Sequence, residues 1–228
     1  MDTATLSLSK SYDFFKPEEV KERIHIIGCG SVGSTVAELL ARFGLTKLTL
    51  YDFDKVEPKN IANQMFRQEH VGMEKVKALA RMLFEINPEI IDKAKIEPHG
   101  YEKQKLSGYV FLCVDNIDLR REIATANKNN PYIKAMFDFR TRLTDAQHYA
   151  ADWRNTDMVE DFLRSMNFTH EEATAETPVS ACNVTLSVAP TIRMISALGV
   201  ANFVNFTKGT ELKKFIQIDA FGFMLDAF

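Results

Sequence analysis

Three glycines at close spacing, followed by an acid, form the first group of residues able to do chemistry. Gly28, Gly30 and Gly33 fit the pattern Gly-x-Gly-x-x-Gly directly after the apolar run at 24–27. In this pattern the first glycine permits a tight turn. The second lets phosphate approach the backbone, and the third lets helix and strand pack closely. Ser31 opens the stretch that follows, where the first N–H groups of a helix are free to meet an anion. Asp52 comes about 20 residues later, where a carboxylate can accept hydrogen bonds from ribose hydroxyls. A glycine turn alone has a blander reading, as a connection in any α/β protein. With the acid in place these residues point to a nucleotide, and leave open whether it is a dinucleotide or ATP.

Hydrophobic periodicity supplies the elements that must hold these residues. A strand is expected over 23–27. A helix follows over 31–43, with Val32, Val36, Leu39, Leu40 and Phe43 on one side and Gly44 as its stop. A second strand over 47–52 completes a βαβ unit and should lie parallel to the first. Residues 54–72 are polar and contain Pro58, which suggests a long connection with about one helical turn. Further on come a helix over 73–86, a strand over 94–98, a strand over 109–114 and a helix over 117–128 capped by Asp115 or Asn116. A strand over 132–137 ends the alternation. An antiparallel strand is expected over 144–150, then a polar, acidic stretch at 152–178, a long helix at 185–206 and a last strand at 214–219. The class is α/β: Rossmann-like, with a mainly parallel sheet, helices on both faces and an antiparallel C-terminal extension. One domain over 1–228 is expected, with the nucleotide-binding part at 1–138 and the extension, a crossover loop and the long helix at 139–228.

A second set of residues refines the choice of nucleotide. Asp52 and Asp54 are followed by Val56, then Asn60 and Gln64, then Gly72 and Lys75, then Asn87-Pro88, then Asp115-Asn116 past a strand. In this order and spacing the sequence resembles the ThiF/MoeB family, adenylyltransferases similar to ubiquitin-activating enzymes. The resemblance runs from about residue 24 to residue 133 and is looser beyond. It implies ATP-dependent adenylation of a carboxylate, on the C-terminus of a small ubiquitin-like or sulfur-carrier protein or of a peptide. Attack at the α-phosphate places charge on phosphate oxygens and on pyrophosphate, so such a site requires cations and a metal more than a proton-transferring base. By resemblance, Asp52 holds the ribose and Lys75 meets the phosphates as a point charge. Asp115 places Mg²⁺. Asn60 meets a phosphate or sugar oxygen, Asp54 supports the loop or the nucleotide, and Gln64 and Asn116 complete the binding set. Each has a plainer role open to it. Lys75 can be a solvated lysine at a helix start, Asp115 and Asn116 can cap a helix, and Asn60 and Gln64 can be turn residues.

The sequence also departs from that family. Its second motif carries an arginine just before the glutamine, and Asn63 stands there instead. Arg67, one helical turn later, is the candidate substitute. Many members add an N-terminal arginine across a dimer; here Lys10, Lys16, Lys21 and Arg23 are candidates without a motif. The family's paired zinc-binding cysteines are absent. Of Cys29, Cys113 and Cys182, the first two are expected to pack in the turn and in a central strand. Cys182 precedes the long helix, where a helix N-terminus can lower a thiol's pKa and make it a nucleophile; a buried packing role is its alternative. Asp138 and Arg140 follow the strand that starts at Tyr132, either near an acyl substrate or as a salt bridge.

Composition sets the outer limits. The 228 residues are 46% hydrophobic and 26% charged, with a formal net charge of −3. That excludes a wholly disordered chain and gives no basic excess for nucleic acid. No stretch reads as a signal peptide or a membrane span; residues 186–206 come closest but carry Arg193 and two asparagines. Three cysteines without Cys-x-x-Cys spacing fit a reducing, cytoplasmic setting. The five histidines have no ligand spacing. No internal repeat or linker is visible. The leading expectation is a homodimeric adenylyltransferase using ATP and Mg²⁺. The alternatives are an NAD-dependent oxidoreductase, which the glycines and Asp52 fit equally well, and a catalytically degenerate binding partner.

Overall fold

The computed structural model describes residues 5–175, 178–179 and 186–228. One eight-stranded sheet organises them, in the order β3-β2-β1-β4-β5-β6-β7-β8. The strands β1 (Ile24–Ile27), β2 (Leu48–Tyr51), β3 (Lys95–Glu97), β4 (Gly108–Leu112) and β5 (Ile133–Thr141) run parallel. Then β6 (Asp145–Asp152), β7 (Phe215–Asp219) and β8 (Met224–Ala227) add antiparallel neighbours. The order reverses between β1 and β4, so the glycine turn after β1 opens at a topological switch point, where open α/β sheets bind ligands.

Helices cover both faces, as the α/β reading requires. On one face α1 (Ser31–Arg42), α2 (Lys75–Ile86) and α6 (Ala189–Thr207) pack with Ile24, Ile26, Leu48, Leu50, Phe111 and Phe137 into one apolar core. On the other, α3 (Ile117–Ala126) and α4 (Thr156–Arg164) pack with Ile27, Val110, Leu112 and Met136. Strand β1 is buried along its whole length because it feeds both cores. In α1 the buried residues include Val32, Val36 and Leu40, one helical turn apart, which is why the stretch folds against the sheet. Stacked Phe111 and Phe137, with ring centroids 4.7 Å apart, and edge-on Phe203 lock α6 to the sheet.

Several boundaries differ from those expected. The strand beginning near Tyr132 runs on to Thr141, so Asp138 and Arg140 lie inside β5 rather than after it; pairing with β6 extends it. Strand β4 stops at Leu112, which leaves Cys113 one residue beyond it, half-buried and bonded through its N–H to the Ile27 carbonyl at 2.8 Å. The 54–72 connection contains two short 3₁₀ turns, Pro58–Ala62 and Gln68–His70. The acidic stretch at 152–178, expected to be a crossover loop, holds α4 and α5 (His170–Ala175). Asn155 caps α4 by accepting the N–H groups of Asp157 and Met158. Strand β7 is followed by β8, which the short, apolar run after Gly222 did not signal. The expected start of the long helix near Thr185 lies outside the described residues. No helix among the described residues is long and apolar enough to cross a membrane.

Two histidines are buried as neutral rings. His148 accepts Asn202 Nδ2 at 3.3 Å on Nε2 and donates from Nδ1 to the Asp138 carbonyl at 3.1 Å. His25 accepts the Ser107 N–H at 3.4 Å and meets the Tyr51 hydroxyl at 2.8 Å. Burial pushes each ring down to about 4. An unfolded histidine titrates near ~6.5, so between there and about 4 the unfolded chain binds the extra protons. Stability is therefore full above that window and falls as pH drops through it. Thermal melts should show the midpoint declining on acidification through this window, with a shallower decline in His148→Gln. A midpoint indifferent to pH there would contradict neutral buried rings.

Candidate functional site

The site begins at the end of β1. Gly28 has φ +93° and donates its N–H to the Tyr51 carbonyl at 2.9 Å. A Cβ there would sit 2.7 Å from the Cys113 backbone, so the turn has no room for a side chain. A Cβ on Gly33 would lie 1.8 Å from the Gly28 carbonyl oxygen; its absence lets α1 start tight against β1. Gly30 differs. A Cβ there meets nothing nearer than Gln64 Nε2 at 3.9 Å, which leaves open space above the start of α1. Ser31 is the first residue of that helix.

Asp52, just past β2, reaches back over the turn. Its Oδ2 accepts the Cys29 N–H at 2.7 Å and its Oδ1 accepts the Asp54 N–H at 2.9 Å. Burial pushes its carboxyl up, opposed by Lys75 and by those two N–H groups. Lys75 opens α2, buried, with Nζ 2.7 Å from Asp54 and 4.0 Å from Asp52. A lysine at a helix N-terminus is opposed by the helix dipole, and here the two carboxylates hold it in place. The solvated lysine that sequence alone allowed is thus a buried, ion-paired one.

Asn60 is buried, and its Oδ1 accepts the Glu57 N–H at 2.8 Å, so a ligand would meet its amide nitrogen. Gln64 Oε1 is buried without a hydrogen-bond partner. A buried acceptor in that state is unfavourable until a donor arrives, and the nitrogen of the same amide faces the open space above Gly30. Asp115 is exposed at the carboxyl end of β4. Asn116 caps α3 by accepting the Leu119 N–H at 3.0 Å.

Beneath Asp115 lies a group that sequence reading only half found. Asp138 is fully buried and carries Arg120 on one oxygen and Arg140 Nε at 2.7 Å on the other. Burial works to raise this carboxyl; Arg120 and then Arg140 outweigh it and hold it below the usual carboxylate range. Arg120 also donates to the carbonyls of Phe139 and Val114, the latter directly preceding Asp115. It ties the loop bearing Asp115 to β5. A charged residue on the buried side of an amphipathic helix was the available signal for Arg120.

Other predicted residues lie apart. Arg67 is exposed and faces Glu69 at 3.7 Å and Glu85 at 3.6 Å. Glu85 is in the last turn of α2 and Lys75 in the first, roughly 15 Å away along the axis. The structure therefore does not bring Arg67 to the glycine turn. Asn63 donates to Ser187 ahead of α6. Arg23 is occupied by the carbonyls of Leu48 and Lys93, at the opposite end of the sheet. Burial pushes the thiols of Cys29 and Cys113 up, which keeps them protonated. Cys182 lies outside the described residues.

Among the described residues no three His, Cys, Asp or Glu side chains converge as a metal cage. Asp115 is a single carboxylate. That suits Mg²⁺ shared with phosphate oxygens, which needs one or two carboxylates, and does not suit a protein-only site.

A switch-point glycine turn, an open helix N-terminus and a carboxylate over the turn are the features with which α/β proteins bind nucleotides. Residues 18–228 match the model of the ThiF family, and the chain belongs to that family. Over 142 residues it is 34% identical to ubiquitin-like modifier-activating enzyme 5 of Drosophila mojavensis, covering 55% of this chain and 35% of the relative. Over 125 residues it is 35% identical to the enzyme of the same name from Bombyx mori, covering 48% and 32%. The chain thus spans about a third of the length of these relatives. Among solved structures, E. coli MccB with ATP superposes with a TM-score of 0.71 at 19% identity, over 93% of this chain and 65% of that one. PaaA superposes with a TM-score of 0.69 at 17% identity, over 93% and 65%. These likenesses concern the fold.

The second and third glycines should separate under mutation. Gly33→Ala drives a methyl into the Gly28 carbonyl and should cost at least about 2 kcal/mol in urea unfolding, whereas Gly30→Ala should stay within about 1 kcal/mol. Equal costs would contradict the close-approach and open-space assignments.

Proposed function

We propose that the chain catalyses ATP-dependent adenylation of a C-terminal carboxylate, on a small ubiquitin-like or sulfur-carrier protein or on a peptide. The observation that carries this is Lys75, buried between Asp52 and Asp54 beside an open glycine turn, with Asp115 exposed at the next strand end. The names of the relatives support the same reading: a ubiquitin-like modifier-activating enzyme, and MccB solved with ATP and with MccA.

In this reading the α-phosphate lies over Gly30 and Ser31, where the α1 N–H groups face it. Asp52 accepts from the ribose with the lone pairs its two N–H partners leave over. Gln64 Oε1 gains its missing donor from the nucleotide. The substrate carboxylate oxygen attacks the α-phosphorus, the bond to the bridging oxygen breaks, and pyrophosphate leaves with the electron pair. Lys75 opposes the charge that gathers on the phosphates. Asp115 is the residue that would hold Mg²⁺, which supplies further charge neutralisation when bound. Arg120 and Asp138 act behind it by fixing the loop. The working form is a homodimer in which α6 offers its exposed Met194 side to the second copy.

ATP–pyrophosphate exchange tests this directly. With candidate carrier proteins supplied, exchange should require the carrier's free C-terminus and fall by about 100-fold in Asp115→Ala. Exchange that persists undiminished in Asp115→Ala, or that ignores the carrier's terminus, would overturn the reading.

A further inference from the structure

The charges around the glycine turn do not suit a polyphosphate as they stand. Lys75 is the one cation of the cluster, and it faces Asp52 and Asp54 with Asp115 nearby. A nucleoside triphosphate brings more negative charge, of which Mg²⁺ offsets a part, so a further cation close to the start of α1 would favour its binding. The other arginines named above are committed elsewhere, Arg23 to carbonyls at the opposite end of the sheet. Arg67 is at the far end of α2, and Arg120 and Arg140 are held by Asp138.

Arg193 is placed differently. It lies on α6, the helix with the most extensive packing on α1, and its guanidinium donates to Thr35 Oγ1. That hydroxyl donates in turn to the Ser31 carbonyl at 2.8 Å. Ser31 is the first residue of α1, so the guanidinium sits about one helical turn, ~5.4 Å, below the helix N-terminus. Asn63 and Met65 meet the same corner. Asn63 donates to Ser187 just before α6, and the Met65 N–H donates to Ser34 Oγ at 3.2 Å. Three segments thus converge where a phosphate would enter.

Among the described residues Arg193 is also poorly satisfied as a cation. It is half-buried and its partner is a neutral hydroxyl. The carboxylate that acts on it from a distance, Glu38, is bonded to Arg42 at 2.8 Å. Burial pulls the guanidinium's pKa down, so its charge is held at a disadvantage. A guanidinium has five N–H donors in a fixed fork that matches phosphate, and one of them serves Thr35.

We infer that Arg193 binds the outer phosphates of the nucleoside triphosphate, and the pyrophosphate that leaves, supplying from α6 the positive charge that Asn63 does not carry. The inference rests on the adenylation reading and adds to it the residue that discriminates triphosphate from monophosphate. Arg193 touches the phosphates in this account and takes no part in binding the nucleoside.

Calorimetric titration with MgATP and, separately, with AMP tests it on wild type, Arg193→Gln and the double variant N63R/R193Q. Arg193→Gln should weaken MgATP by at least about tenfold while AMP changes by less than about twofold, and N63R should restore most of the MgATP loss. AMP binding also reports that each variant is folded, since glutamine can keep the Thr35 hydrogen bond. MgATP unchanged in Arg193→Gln would overturn the inference. So would equal losses of MgATP and AMP, which would mark Arg193 as structural. A wild type that binds AMP but not MgATP would sink the adenylation reading itself, and the inference with it.

Discussion

The site depends on one ion network: Lys75 held between Asp52 and Asp54. It adds charge to the strand pairing and backbone hydrogen bonds that already join three pieces of chain. Asp52 is anchored to the glycine turn through the Cys29 N–H at 2.7 Å. Asp54 follows it and accepts Lys75 Nζ at 2.7 Å, while its carbonyl takes the Lys75 N–H at 2.9 Å. The end of β2, the start of α2 and the turn after β1 are therefore fixed to one another by charge as well as by backbone pairing. Burying a lysine is unfavourable unless it is paired, and at a helix N-terminus the dipole adds to the penalty. Asp54 pairs with it directly, and Asp52 adds a second carboxylate at 4.0 Å. The long 54–72 connection can then wander through two 3₁₀ turns without loosening the site, because both its ends are pinned.

The same logic recurs under Asp115. Asp138 is buried without any exposed surface, and two arginines make that tolerable. Arg120 then has donors left over, and spends them on the Val114 and Phe139 carbonyls. The exposed carboxylate at the tip of β4 thus stands on a rigid base. Two charge clusters, each with a buried member, flank the switch point, one on each side of β1. The space between them, above Gly30, is where the backbone offers N–H groups and the side-chain atom nearest a Gly30 Cβ is Gln64 Nε2 at 3.9 Å.

Much of this arrangement was legible in the sequence. The glycine spacing and the apolar runs around it identified β1, α1 and β2, because local periodicity decides them. The order of Asp52, Asp54, Asn60, Gln64, Lys75 and Asp115 carried the family resemblance. Pairings that depend on distant chain were not legible. Arg67 looked close to the site in sequence, but Glu85, far along α2, draws it away. Asp138 looked like a loop residue, because pairing with β6 is what extends β5 past it. Arg120 and Arg193 sat in helices as ordinary charged residues. Their importance comes from α3 and α6 folding back on β5 and α1, which no local pattern reports. Strand β8 was missed for the same reason, being an edge that exists through its pairing with β7.

The central claim is that this glycine turn serves ATP rather than a dinucleotide. The glycines and Asp52 suit either, so the decision falls to Lys75 and Asp115. Calorimetry of the wild-type chain with MgATP, and separately with NAD⁺ and NADH, measures that choice directly. The account predicts saturable binding of MgATP in the micromolar range, with no heat from either form of NAD. Tight binding of NAD⁺ or NADH with MgATP ignored would contradict it and make the chain a dinucleotide-binding member of the same fold.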